Sequence, residues 1–427
     1  MLAGCLSAGA QQGAAVSGTI EGGQGDNRAP IAVPYFAAAP GSEAKAKEMA
    51  EVIANDLDFT GKFKILPLGN FPPTFTGFPA DFRQVDVKSW HDSTADYLVY
   101  GFVSTQGGNV VAEFRLFDIN AEAPILGKRI SAGPGLQRLV AHQFSDEVLN
   151  FIFHLPGIAT TKITFSGGAT GKKEIYIADY DGANARALTN HGSVSIKPKF
   201  SPDGSKIAYV SYKERYPFLY ILDVATGKIT PLSRKPGINI APAWAPDGQS
   251  LAIVLSKDGD TEIYRVNADG SNLRRLTTSR GVDTSPCFSP DGRQIAFVSE
   301  RGGAPTLYVM NSDGSAPRRL SRTYGKAFDP VWSPNGAMIA FVSDYGGVRI
   351  AVMNADGSGI RTLTNQGNSE SPTWSPNSRH VMFYRTGGSQ LRAVTVDTPD
   401  PRDRAIPKLS MPCQGPWWGP GRSVTTQ

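Results

Sequence analysis

At 427 residues the chain exceeds one ordinary hydrophobic core, so two domains are expected. Hydrophobic residues make up 40% and charged residues 19%, with 46 Gly and 31 Pro, a turn-rich composition that suits short strands and argues against a helical bundle. The net charge is +5 without a long Lys or Arg run, and no apolar run approaches the roughly 18 to 20 residues of a membrane span, so neither nucleic acid nor a spanning segment is expected.

In chain order, Met1-Leu2-Ala3-Gly4-Cys5 reads like the tail of a bacterial lipoprotein signal, without the charged and apolar regions that precede such a cleavage site. Residues 1–29 are therefore expected to be a signal remnant and a flexible arm, since Ser17 to Asn27 has too little apolar surface to order itself. Residues 30–156 read as an α/β domain. Pro30 to Phe36 is a buried strand, and Ala46, Met49, Ala50, Ile53 and Leu57 fall at helical spacing until Gly61. Lys64 to Leu66, Tyr97 to Val103 and Val110 to Phe117 supply further strands. A second helix carries Leu136, Leu139, Val140, Phe144, Val148, Leu149 and Ile152 and ends before Pro156-Gly157. A mixed sheet covered by two helices is the economical arrangement, with Leu155 to Thr161 as the linker.

The remainder, 162–420, repeats itself. Phe200-Ser201-Pro202-Asp203-Gly204 recurs as Trp244-Ala245-Pro246-Asp247-Gly248, Phe288-Ser289-Pro290-Asp291-Gly292, Trp332-Ser333-Pro334-Asn335-Gly336 and Trp374-Ser375-Pro376-Asn377-Ser378, with a weaker copy at Trp418-Gly419-Pro420-Gly421. Between copies lie β-branched and aromatic runs, such as Ile295 to Ser299 and Thr306 to Met310, joined by hairpin turns such as Asn311 to Ser315. Four strands in about 44 residues is the period of a propeller blade. Ile163 to Ser166, Glu174 to Ala178 and Ala187 to Thr189 lack a first strand, whereas Pro416 to Pro420 is a first strand without the others. Joining the two closes a six-bladed β-propeller and pairs edges that otherwise stay open. The Trp and Phe of each first strand are expected in the core.

The chemistry-bearing residues are sparse. Cys287 and Cys413 fall in the third and sixth blades, too far apart for the ~7 Å a disulfide allows, so free thiols are expected. The five histidines are scattered, and the Asp-Gly pairs lack the alternating acids of a calcium loop, so no metal or cofactor is expected, with an axial calcium ion left open. No serine sits in a GxSxG elbow. The chain is not expected to be an enzyme.

Pro30-Ile31-Ala32-Val33, Ile53-Ala54-Asn55-Asp56-Leu57 with Thr60-Gly61-Lys62-Phe63, and Ala141 to Val148, together with the WSPDG-type repeats and NxDGS turns, resemble the TolB family of the Tol-Pal envelope system. The resemblance implies a monomeric, periplasmic, non-catalytic adaptor that supports outer-membrane integrity and constriction at cell division. It implies binding of the peptidoglycan-associated lipoprotein Pal through Ile196, Ile238, Asn239, Ala241, Thr284, Ser285, Asp329 and Glu370, in the loops leading into each first strand. Asn239, Ala241 and Thr284 keep the family's residue types; Ile238 stands where His is familiar and Ser285 where Glu is. It also implies that the arm segment Val16, Ser17, Gly18, Thr19, Ile20 and Glu21 engages TolA, for which strand addition is suited. The competing expectation is a periplasmic propeller that binds or processes a small ligand such as a glycan.

Overall fold

The structure, a computed structural model, describes residues 27–169, 171–320, 325–388, 390–397 and 403–421. The arm segment Val16 to Glu21 and Cys5 lie outside the described residues.

The N-terminal region is a mixed sheet with strands β1 (Ala29–Ala32), β2 (Ala37–Ala38), β3 (Phe63–Ile65), β4 (Tyr97–Gln106), β5 (Asn109–Asp118) and β6 (Ala123–Ala132), in the order β3-β1-β4-β5-β6 with β2 also on β4. The β1, β2 and β3 pairings are parallel and those of β4, β5 and β6 antiparallel. Helices α1 (Glu43–Phe59) and α2 (Gln137–Phe153) share one core with Ile31, Val99, Phe114 and Leu116, so both lie on the same face of the sheet. Strand alternation sends Ala32, Leu98, Tyr100 and Phe117 to the other face. There a long loop, not a helix, supplies the cover: Trp90 is buried in it, with Phe71, Phe75, Phe78 and Phe82 packed alongside.

Six four-stranded antiparallel sheets follow. Blades 1 to 5 begin with the strands Ser195–Phe200, Asn239–Trp244, Asp283–Phe288, Ala327–Trp332 and Ser369–Trp374. Blade 6 takes its first strand, Cys413–Trp418, from the far end of the segment and pairs it with Lys162–Gly167, setting Trp418 opposite Ile163. The expected ring of five intact blades and one split blade is therefore present.

The turn after each first strand shows why the repeat has its residues. In blade 1 the Ser201 hydroxyl donates to Asp203 Oδ1 at 2.5 Å, the Ser205 amide donates to the same oxygen at 3.0 Å, and Gly204 takes φ +71°. Asn needs only its oxygen for this, so Asn335 and Asn377 serve as well, accepting from Ser333 and Ser375 at 2.7 Å. The aromatic residues before these turns are 4% to 9% exposed and belong to the blade cores.

The two regions meet around blade 6. Asp56 of α1 accepts from His142 Nδ1 at 2.8 Å and from the Tyr180 hydroxyl at 2.6 Å, while Phe59 packs on Tyr180, His380 and Trp418 at ring separations of 5.2, 5.1 and 6.3 Å. Arg404 donates to Asp58 at 2.7 Å. Asp146 of α2 fastens the linker by accepting the amides of Ala159 and Thr160 at 2.9 and 3.2 Å.

Candidate functional site

Each first strand carries the same interruption midway. The register shifts at Ile196/Lys199, Ile240/Ala243, Thr284/Cys287, Phe328/Val331, Glu370/Thr373 and Gln414/Trp417. Inside each shift one residue adopts a left-handed conformation immediately before a proline: Lys197, Ala241, Ser285, Asp329, Ser371 and Gly415, with φ between +46° and +57°. A proline brings no amide hydrogen to the ladder, so it is tolerated at a bulge, and it disfavours the right-handed helical region for the residue before it. Five of the six carry a Cβ in that conformation, a local cost that the neighbouring blades hold in place.

The bulges place one residue from every blade around the axis. All six line a cavity of about 360 Å³ at the start of the first strands. A second cavity, of about 350 Å³, lies where the first strands end and is bordered by their aromatic residues and turns. Lys199, Pro286, Pro330 and Val331 line both, so the two cavities are the halves of one axial channel with these residues at its waist.

A polar strap crosses the first mouth. Ser285 donates to Asp329 at 2.9 Å, and the Lys197 ammonium, from the opposite blade, donates to Asp329 at 3.0 Å and to Ser371 at 3.3 Å. Burial alone would raise the Asp329 carboxyl, but the Lys197 charge outweighs it and holds the acid below its ordinary range. The same carboxylate raises Lys197. Deeper in, Lys199 sits over the Trp417 ring at 3.6 Å; burial and the neighbouring Lys197 pull its ammonium down to about 7.

Of the residues singled out from the sequence, Ile196, Ala241, Thr284, Ser285 and Asp329 converge on this mouth. Ile238 is 38% exposed on the adjoining loop, where its amide donates to Ser256, and Glu370 is exposed on its strand; neither lines the cavity. Asn239 is 0% exposed: its side chain accepts from Ser233 and the Lys235 amide and donates to the carbonyls of Lys235 and Gly237, so it holds its own loop together. Lys197, Lys199 and Ser371 escaped the sequence reading. The signal for Lys197 and Ser371 was the residue before each first-strand proline, a position shared by all six blades; Lys199, one residue after Pro198, carried no such mark.

The described cysteines, Cys287 and Cys413, are in no disulfide, as expected. Burial raises both, Cys413 to about 11, and neither has the acidified thiol of a nucleophile. His142, Asp179 and Asp181 come within 4.8 Å of one another at the junction of the two regions. Their carboxylates are already engaged, Asp181 by Arg138 and Asp179 by Lys162 and Asn184, and the group forms a charge-balanced clamp.

Two family profiles match the chain: one described as the TolB beta propeller domain over residues 153–422, the other as the TolB amino-terminal domain over residues 19–125. Tol-Pal system protein TolB of Desulfosudis oleivorans is 37% identical over 200 residues, which cover 46% of this chain and 45% of the relative. The protein of the same name from Roseobacter denitrificans is 38% identical over 203 residues, with the same coverage. The match thus spans about half the length of these curated relatives. The crystal structure of TolB from Acinetobacter baumannii shares the fold, with a TM-score of 0.81 at 24% identity over 92% of this chain and 97% of its own. Among the described residues, no helix is long and apolar enough to cross a membrane.

Proposed function

This chain belongs to the TolB family, and we propose that it is a non-catalytic periplasmic adaptor of the Tol-Pal system, gripping the lipoprotein Pal at the channel mouth and engaging TolA through Val16 to Glu21. The ring of six left-handed bulges supports the Pal reading most directly. It fixes one residue per blade around a cavity of about 360 Å³, and four of the six, Ala241, Ser285, Ser371 and Gly415, are small, so that the exposed Lys197–Asp329 strap is what an inserted loop meets at the entrance. Rigid backbone around a concave, largely apolar mouth is the setting in which a few inserted side chains carry most of a partner's affinity.

Binding of the Pal periplasmic domain, measured by calorimetry, tests the assignment. The unaltered chain binds, Ala241→Trp or Thr284→Arg abolishes binding, and thermal unfolding stays within about 4 °C of the parent, the shift expected of surface changes worth under ~1 kcal/mol. Retained affinity in both variants would place the partner on another face. Deleting residues 16–21 should remove TolA binding and leave Pal binding intact.

A further inference from the structure

Lys199 is unusual among the charged groups of the propeller. It lies two residues beyond Lys197 on the same strand, at the waist shared by both cavities. Among the described residues its ammonium has no carboxylate or hydrogen-bond acceptor as partner; its contact is the face of Trp417 at 3.6 Å. The charged and titratable groups facing it are Lys197, Asp329 and Cys287. Asp329 is already taken by Lys197 and Ser285, and the Cys287 thiol is kept protonated by burial. At the mouth above, Lys197 is served by Asp329 and by the charge of Glu370, whereas Lys199 at the waist, between walls made by Pro286, Pro330 and Val331, has no carboxylate of its own. Lys199 is half-buried, and a cation partly withdrawn from water gains from a paired anion, of which an aromatic face supplies only a part.

Resting on the reading that Pal docks at this mouth, we propose that Lys199 receives a carboxylate side chain that the docked partner inserts along the propeller axis. An incoming side chain meets the exposed Lys197–Asp329 strap first and passes it to reach the waist, which is apolar enough to strengthen a charge-assisted bond, and Lys199 there has no carboxylate of its own. With Lys199 near half-protonated at neutral pH, binding carries a proton with it. The sign follows. Raising the pH removes the proton that the carboxylate requires, so affinity falls as pH rises. From about pH 6 to about pH 8.5 the loss is limited to about 30-fold by one group titrating near 7. Lys197 is held above its ordinary value and Cys287 above its own, so neither titrates in that window.

The test measures the dissociation constant of the Pal periplasmic domain for the full chain, Lys199→Met and Lys199→Arg, at both pH values. The parent should weaken on going to high pH by 10-fold or more, Lys199→Met should bind about 10-fold more weakly at low pH and show no pH step, and Lys199→Arg should bind tightly at both. Methionine fills the same space without the charge, so thermal unfolding of Lys199→Met should match or exceed the parent and exclude misfolding. A parent without a pH step, or Lys199→Met binding as the parent does at low pH, would overturn the inference while leaving the docking site intact. A parent that fails to bind Pal at any pH refutes the docking reading itself, and the inference falls with it.

Discussion

Removing the Trp418 side chain probes the closure of the ring. Trp418 is 4% exposed, its indole Nε1 donates to Thr161 Oγ1 at 2.8 Å, its amide donates to Thr373 of blade 5 at 3.1 Å, and its ring packs against Phe59, Tyr180 and His380. An indole buries roughly 150 to 250 Å², which at ~25 cal/mol per Å² is about 4 to 6 kcal/mol. The extended-chain reference overstates this by ~10 to 40%, and the lost hydrogen bond restores about 1 kcal/mol. Trp418→Ala should therefore cost about 4 to 5 kcal/mol, and Trp418→Phe, which keeps an aromatic ring but not the indole donor, about 1 to 2 kcal/mol. Urea unfolding followed by far-ultraviolet circular dichroism reads the change. Because Phe59 leans on the same ring, proteolysis of the linker between Leu155 and Thr161 should also accelerate in Trp418→Ala. A cost below about 1.5 kcal/mol for the alanine variant, with no change in proteolysis, would refute the reasoning that this residue ties the last blade to blade 5 and to the N-terminal region.

Two further perturbations address the junction of the two regions. A Cβ on Gly157 would lie 2.0 Å from Asp146 Oδ1, so Gly157→Ala should destabilise by about 3 kcal/mol or more, and Asp146→Ala in the same chain should make the pair cost less than the sum of the single changes in urea titrations. Burial would lower the His142 imidazole, but Asp56 outweighs it and raises the group above 6.5. A raised histidine contributes stability that is complete below its unfolded value and is lost as pH rises through its folded value. The stability gap between the parent and His142→Gln, measured by chemical denaturation, should therefore be largest below about pH 6.5 and shrink above it; a gap that widens with pH would contradict the Asp56 pairing.

The propeller was legible because its punctuation is chemical. The Ser-Pro-Asp-Gly turn needs an acceptor at its third position and a positive φ at its fourth, and the chain pays out that requirement every 44 residues or so, which reveals the blades and the two orphaned halves of the sixth. The N-terminal region was legible where apolar residues keep a period, as in α1, α2, β4 and β5. It was not legible in β6, whose sequence APILGKRISA alternates only between half-buried and exposed positions, because it is the sheet's edge. Nor did any period mark the loop from Phe71 to Trp90. Its aromatic residues cover a sheet face from irregular backbone, so their spacing follows the surface beneath them.

The site divided along the same line. Ala241, Thr284, Ser285 and Asp329 came from the family resemblance, and neither resemblance nor repetition says which way a side chain leaves a bulge. Asn239 was expected on the rim because the resemblance places it there; four hydrogen bonds to its own loop turn it inward. Lys197 and Lys199 looked like ordinary charges on a strand until the left-handed bulge aimed the first across the axis and the register set the second over Trp417. That register also joins the parts of the molecule. Within the closing strand, Gly415 lies at the mouth, Trp417 beneath Lys199 at the waist, and Trp418 against Phe59 of the N-terminal region. Successive side chains on a strand face opposite ways, so Trp417 lies under Lys199 while the ring of Trp418 packs at the junction, its edge still bordering the second cavity. One six-residue strand thus closes the ring, floors the channel and meets the other domain, and none of these roles shifts register without the other two.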